Sequence, residues 1–237
     1  MRILVASPPK TGNFWIKALL SESYNLTILS PEPGDDVRDL EKFIEQGYFI
    51  DNSIFHQHYW PTDRLFRLAD SSKIDIVTII RNPYDTFVSL FYYVQNFPEI
   101  VDSGHPLYFI HGKKIDDPEI LDFMNRFEEG FGIHLQLAVN WVNDGRSTLI
   151  RYEDLKKDTY GTLKIVTDHL LPIDESTIQN AISAASASNM RRKSDVLSRH
   201  IRKASVGDWR NHLSEDHLKI FRENYRELIE NLGYNVA

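Results

Sequence analysis

Cations stand at three separated places in this 237-residue chain, each beside residues that let backbone approach an anion. Ser7-Pro8-Pro9-Lys10-Thr11-Gly12-Asn13-Phe14-Trp15 follows a short apolar run and precedes a helical pattern. A helix N-terminus presents unpaired N–H groups and a partial positive charge, which suits a phosphate. Gly12 permits close approach of the chain, and Lys10 adds a full charge. Arg81 ends the strongest strand pattern, where a guanidinium fork matches phosphate oxygens. Ser89 follows one helical turn beyond Asp85 with a hydroxyl for the same anion, and Asn82 or Asp85 caps the helix between. Arg202-Lys203-Ala204-Ser205-Val206-Gly207-Asp208 joins two adjacent cations to a turn, the composition of an anion nest. None of this is a Walker loop, which needs its lysine after the second glycine. Here Lys10 comes first.

These loops need strands and helices to hold them. Buried strands are expected at residues 2–6, 48–55, 74–80 and 148–152, the third being β-branched almost throughout. Pro8 and Pro9 forbid continuation of the first strand. Helical patterns cover about 14–23, 85–95, 118–143, 159–170, 175–184 and 214–231. Such alternation predicts an α/β fold over residues 1–237, a single domain with a central parallel sheet flanked by helices on both faces. Ligands of such sheets sit beyond the carboxyl ends of the strands, and the cationic loops all follow strands or close on them.

The loop from Pro9 to Trp15 resembles the Pro-Lys-Ser-Gly-Thr-Thr-Trp element of cytosolic-type sulfotransferases, enzymes with a P-loop-like fold. Residues 81–93 resemble the family's Arg-Asn-Pro-x-Asp-x-x-x-Ser element, and residues 202–212 its Arg-Lys-Gly-x-x-Gly-Asp-Trp-Lys-Asn-His signature. The resemblance implies transfer of a sulfuryl group from 3′-phosphoadenosine 5′-phosphosulfate (PAPS), leaving adenosine 3′,5′-bisphosphate (PAP), with no metal required. By that match Lys10, Thr11, Gly12, Asn13 and Phe14 wrap the 5′-phosphosulfate, with Lys10 as electrostatic catalyst, and Trp15 packs on adenine. Arg81, Ser89, Arg202, Lys203 and Ala204 surround the 3′-phosphate, while Asp208-Trp209 is a structural anchor. Tyr152 of Tyr152-Glu153-Asp154 reaches the adenine. Phe55-His56-Gln57-His58-Tyr59-Trp60-Pro61 aligns with a Lys-Thr-His-Leu-Pro element, which puts His58 on the general-base position and His56 where the family has a lysine near the sulfuryl group. The displaced proline leaves the opposite register open, with His56 as the base. Three departures stand out. Phe14 replaces a threonine, Ala187 an adenine-stacking phenylalanine, and Ala204 a glycine, which is tolerable at negative φ and costly at positive φ.

Composition narrows the field further. The net charge is −7, so the basic balance of a nucleic-acid binder is missing. The chain has no cysteine, which excludes disulfides and thiolate metal sites and accords with a cytoplasmic setting. No apolar run is long enough to span a membrane. The expected partner is a small-molecule hydroxyl acceptor, an alcohol or phenol, against an aromatic wall at residues 91–109 with Gly112-Lys113-Lys114. Two other classes stay open: a non-catalytic PAP-binding protein of the same descent, and a nucleotide kinase of related topology, which would need a strand-end Asp for Mg²⁺.

Overall fold

Ile3, Leu4, Val5 and Ala6 are wholly buried because β1 (Arg2–Ala6) is the middle strand of a five-stranded sheet. The computed structural model describes residues 1–97, 107, 110–193 and 203–237. The other strands are β2 (Thr27–Ile28), β3 (Ser53–Gln57), β4 (Ile74–Ile80) and β5 (Thr148–Arg151), in the order β2-β3-β1-β4-β5. All four pairings are parallel. Alternate side chains of β1 face opposite ways. Ile3 and Val5 join Ile16, Leu20, Val77 and Ile150 in one core, whereas Leu4 and Ala6 join Phe55, Leu65 and Trp141 in another. A third core gathers Tyr84, Phe87, Phe91, Phe131 and Phe221.

Polar contacts hold the carboxyl ends of the central strands level. The Ser7 N–H donates to the Gln57 carbonyl at 3.2 Å, the Ile79 N–H donates to Ser7 Oγ at 2.8 Å, and Thr78 Oγ1 donates to the Ala6 carbonyl at 2.9 Å. Helix α1 (Asn13–Tyr24) starts from this rim with no side-chain cap. Helices α2 (Val37–Glu45) and α3 (Asp63–Ser72) flank β3. Helix α4 (Pro83–Asn96) has proline in its first turn and Asn82 as its cap, accepting from the N–H groups of Tyr84 and Asp85.

Two expected helices are each divided in the structure. Residues 118–143 form α5 (Pro118–Asn125) and α6 (Gly132–Asp144). Between them Gly130 lies so close to the chain that a Cβ would stand 2.3 Å from the Phe123 and Arg126 carbonyl oxygens. After α7 (Tyr152–Lys157), α8 (Thr159–Leu170), α9 (Glu175–Ala184), α10 (Ala187–Lys193) and a 3₁₀ turn at Asp208–Asn211, the second break separates α11 (Glu215–Asn224) from α12 (Arg226–Asn231). It falls at Tyr225, whose hydroxyl donates to the Arg126 carbonyl at 3.1 Å. The strand expected at 48–55 begins only at Ser53, because Asn52 (φ 55°) lies in the left-handed region that a strand cannot hold. Among the described residues, no helix is long and apolar enough to cross a membrane.

Candidate active site

The loop between β1 and α1 is locked from inside. Thr11 Oγ1 donates to the Pro8 carbonyl at 2.9 Å, and Asn13 Nδ2 donates to the same oxygen at 3.1 Å. Both side chains are therefore spent on loop shape, and Thr11 stands apart from the residues that line the adjacent cavity. Gly12 adopts φ 120°, and a Cβ there would lie 2.8 Å from the Tyr152 ring. Only glycine fits. The uncapped start of α1 thus opens onto a cavity of about 750 Å³, within the range of small-molecule sites.

Lys10 lines that cavity with a left-handed backbone (φ 65°) and its ammonium 4.0 Å from the centre of the Tyr93 ring. Burial, with the Arg81 guanidinium as a second cause, pushes its pKa down to about 7. Arg81 spans two loops: Nη1 donates to the Lys10 carbonyl at 3.3 Å and Nη2 to the Ser205 carbonyl at 3.0 Å. Its guanidinium lies 4.5 Å from the centre of the Tyr152 ring, and its buried Nε has no partner among the described residues. A buried donor without an acceptor calls for a ligand or water.

Residues from the far end of the sequence complete this side. Lys203, Ala204 and Ser205 line the cavity together with Ser89. Arg202 lies outside the described residues. Asp85 does not cap α4. Its carboxylate instead accepts the N–H of Gly207 at 2.6 Å and that of Trp209 at 3.1 Å, and Trp209 stacks on Tyr84 at 4.7 Å. Ala204 has φ 52°, the costly case, worth about 1–2 kcal/mol for an L-residue. Lys203 is held by Asp208 at 3.0 Å. The aromatic end is formed by Trp15, set edge-on to Tyr152 at 5.8 Å, with Ile182, Ala187 and Met190.

Both histidines line the same cavity, with ring centres 6.0 Å apart. His58 Nδ1 is 2.7 Å from the Ser7 carbonyl. A carbonyl only accepts, so Nδ1 carries the proton and Nε2 keeps its lone pair. Burial pulls the His58 pKa down to about 4, against the opposing effect of that carbonyl. The ring is neutral at pH 7. His56 is held by residues that no motif reading singled out. Its Nδ1 is 2.8 Å from Glu32 Oε1 and 2.8 Å from Lys17 Nζ, which itself meets Glu32 Oε1 at 2.6 Å. The Phe14 ring packs on His56 at 4.9 Å. Of the expected acceptor wall, Tyr93 lines the cavity and Phe91 is buried in the core. Residues 98–106, 108 and 109 lie outside the described residues, and Lys113 pairs with Glu119 at 3.0 Å.

The chain is similar to known proteins over nearly its whole length. The sulfotransferase domain family matches residues 1–233. Sulfotransferase 6B1 of Mus musculus is 27% identical over 246 residues, covering 96% of this chain and 76% of its own. The amine sulfotransferase of Oryctolagus cuniculus is 23% identical over 261 residues, covering 95% of this chain and 81% of its own. The fold is that of the mouse sulfotransferase SULT7A1 crystallised with PAP (TM-score 0.73, 23% identity, 97% of this chain and 84% of that one). It is also that of retinol dehydratase crystallised with androsterone and PAP (TM-score 0.69, 14% identity, 98% and 81%).

Proposed function

Because the chain belongs to the sulfotransferase family and is a PAPS-dependent sulfotransferase, we propose that it sulfates the hydroxyl of a hydrophobic alcohol or phenol, with His58 as general base and Lys10 opposite the leaving phosphate. The observation that carries this reading is one cavity lined together by Lys10, Arg81, Lys203 and His58. Three features suit a phosphorylated nucleotide: the orphaned Arg81 Nε, the uncapped start of α1, and the close approach that Gly12 allows. PAPS supplies an activated sulfuryl group. Arg81, Ser89 and residues 202–204 hold the 3′-phosphate, residues 10–14 the 5′ side, and Trp15 and Tyr152 the adenine. Within the 5′ group, Thr11 and the Asn13 amide act through loop shape, and the backbone serves the anion. No metal is needed for charge balance, since the cavity brings its own cations. The chain works in the cytoplasm on this reading, which rests on its cysteine-free composition.

His58 Nε2 takes the acceptor proton, a contribution of about 10²–10⁴-fold for a placed base. Lys10 meets the charge that develops on the phosphate oxygen, where a preorganised donor is worth roughly 10²–10³-fold. The test combines labelled PAPS with a panel of phenols and alcohols. His58→Ala should lose nearly all turnover while binding PAP normally. Retained turnover in His58→Ala, with loss in His56→Ala, would make His56 the base. Calorimetric titration should show PAP bound far more tightly than ATP; equal affinity would return the nucleotide-kinase reading.

A further inference from the structure

Among the described residues that line the cavity, Lys10, Arg81, Lys156 and Lys203 bring cations, and Glu32 alone brings a carboxylate. A phosphorylated nucleotide accounts for the cations. It gives no reason for the acid, which repels it. Glu32 stands beside the histidines: its Oε1 lies 2.8 Å from His56 Nδ1, and the His56 ring centre is 6.0 Å from that of His58. Phe14 and Tyr93 add aromatic surface to the same cavity.

One oxygen of Glu32 is spent and the other is not. Oε1 accepts from Lys17 Nζ at 2.6 Å and from the His56 backbone N–H at 3.3 Å. Oε2 makes no hydrogen bond among the described residues, and the side chain keeps 24% of its surface exposed. The group is ionised: burial opposes the charge, but hydrogen bonds and charge from His56 and Lys17 hold its pKa at about 2. Lys17 offsets part of that charge. Its own side chain is only 6% exposed, and its Nζ is held between Oε1 and His56 Nδ1, which leaves Oε2 unpartnered. Asp35 is exposed, makes no hydrogen bond or ion pair among the described residues, and acts with Glu32 on the field at His58. Once nucleotide phosphates offset Lys10, Arg81 and Lys203, Glu32 and Asp35 outnumber Lys17 beside the histidines. An apolar body carrying one cation suits that place, since a charge-assisted hydrogen bond to a carboxylate is strong.

We infer that Glu32 selects the acceptor, its Oε2 receiving the ammonium of an amine-bearing phenol or alcohol whose hydroxyl faces His58. The inference rests on the sulfuryl-transfer reading above and narrows its acceptor from a neutral hydrophobic compound to a cationic one. Glu32 takes no part in the transfer itself; it decides which hydroxyl compound is held for it.

The test gives the full chain labelled PAPS and acceptors matched in shape: tyramine, p-propylphenol and p-hydroxyphenylpropionate, with aminopentanol and hexanol as the alcohol pair. Each amine should exceed its neutral isostere in kcat/KM by about 10–100-fold, the order of one charged hydrogen bond, and the carboxylate should be poorest. A ratio of one or less in the unaltered chain overturns the inference and needs no variant. Sulfate found on the nitrogen of tyramine overturns it too, since the amine would then face His58. In Glu32→Gln the ratio of tyramine to p-propylphenol should collapse toward one. A merely structural Glu32 would lower both acceptors alike, so an unchanged ratio in this variant refutes the selection. Absence of transfer to every acceptor would sink the sulfuryl-transfer reading. Calorimetric binding of tyramine and p-propylphenol to the PAP-loaded chain would still decide the preference for a cation, with tyramine expected to bind more tightly.

Discussion

Lys10 should bind its ligand and a proton together. Burial beside Arg81 brings its pKa to about 7 in the free protein, and an anion in the cavity favours the charged form. The ligand therefore raises the lysine pKa. Affinity is full below about pH 7 and weakens as pH rises through that value, until the pKa of the bound state is reached. At pH 8 only about one-tenth of the free protein carries this charge, so PAP binding should take up roughly 0.9 proton. Between pH 7 and pH 9 the dissociation constant should rise about fifty-fold, or ~2.3 kcal/mol, if the bound lysine stays charged throughout. Above pH 8 the phosphates of PAP hold no proton to release, and His58, with a pKa of about 4, stays neutral. Calorimetry at pH 8 in buffers of different ionisation enthalpy measures the uptake. Heat independent of buffer would refute the reasoning, and so would an undiminished uptake in Lys10→Met.

Other substitutions probe the supporting structure. Ala204→Gly should relieve the left-handed strain and stabilise the protein by about 1 kcal/mol, read as a higher midpoint in urea unfolding. Asp85→Ala strips the acceptor from the N–H groups of Gly207 and Trp209. A charged hydrogen bond is worth about 1.5–3 kcal/mol, so this variant should lose stability of that order and also lose PAP affinity by calorimetry. Ala187→Phe places a ring at the aromatic end of the cavity and should tighten PAP binding by up to about 1–3 kcal/mol, the range for base stacking. An unchanged dissociation constant would show that Ala187 does not face the base.

The parts of the site that local chemistry dictates were legible in the chain. Lys10, Gly12 and Arg81 sit at strand ends and helix starts, Ser89 lies further along α4, and the structure brings all four to one cavity. The central strands were readable because β1 and β4 are buried on both faces at all but one position each and so are nearly continuous apolar runs. Glu32 and Lys17 carried no such signal. They lie 15 residues apart and join only through tertiary contact, and Lys17 on α1 reads as one more surface lysine. Asp85 looked like a cap because it stands in the first turn of α4, yet Asn82 takes that task and frees Asp85 for a contact 122 residues away. The helix breaks at Gly130 and Tyr225 escaped a reading by periodicity, since both follow from how neighbouring helices pack and not from a lost pattern.

The reach of Arg81 has a consequence for how the protein becomes competent. Its two bonds join partners 71 and 124 positions away along the chain. Closing loops of that length is slow and must await the sheet that aims the guanidinium. A chain that has not made both long-range closures therefore lacks this clasp.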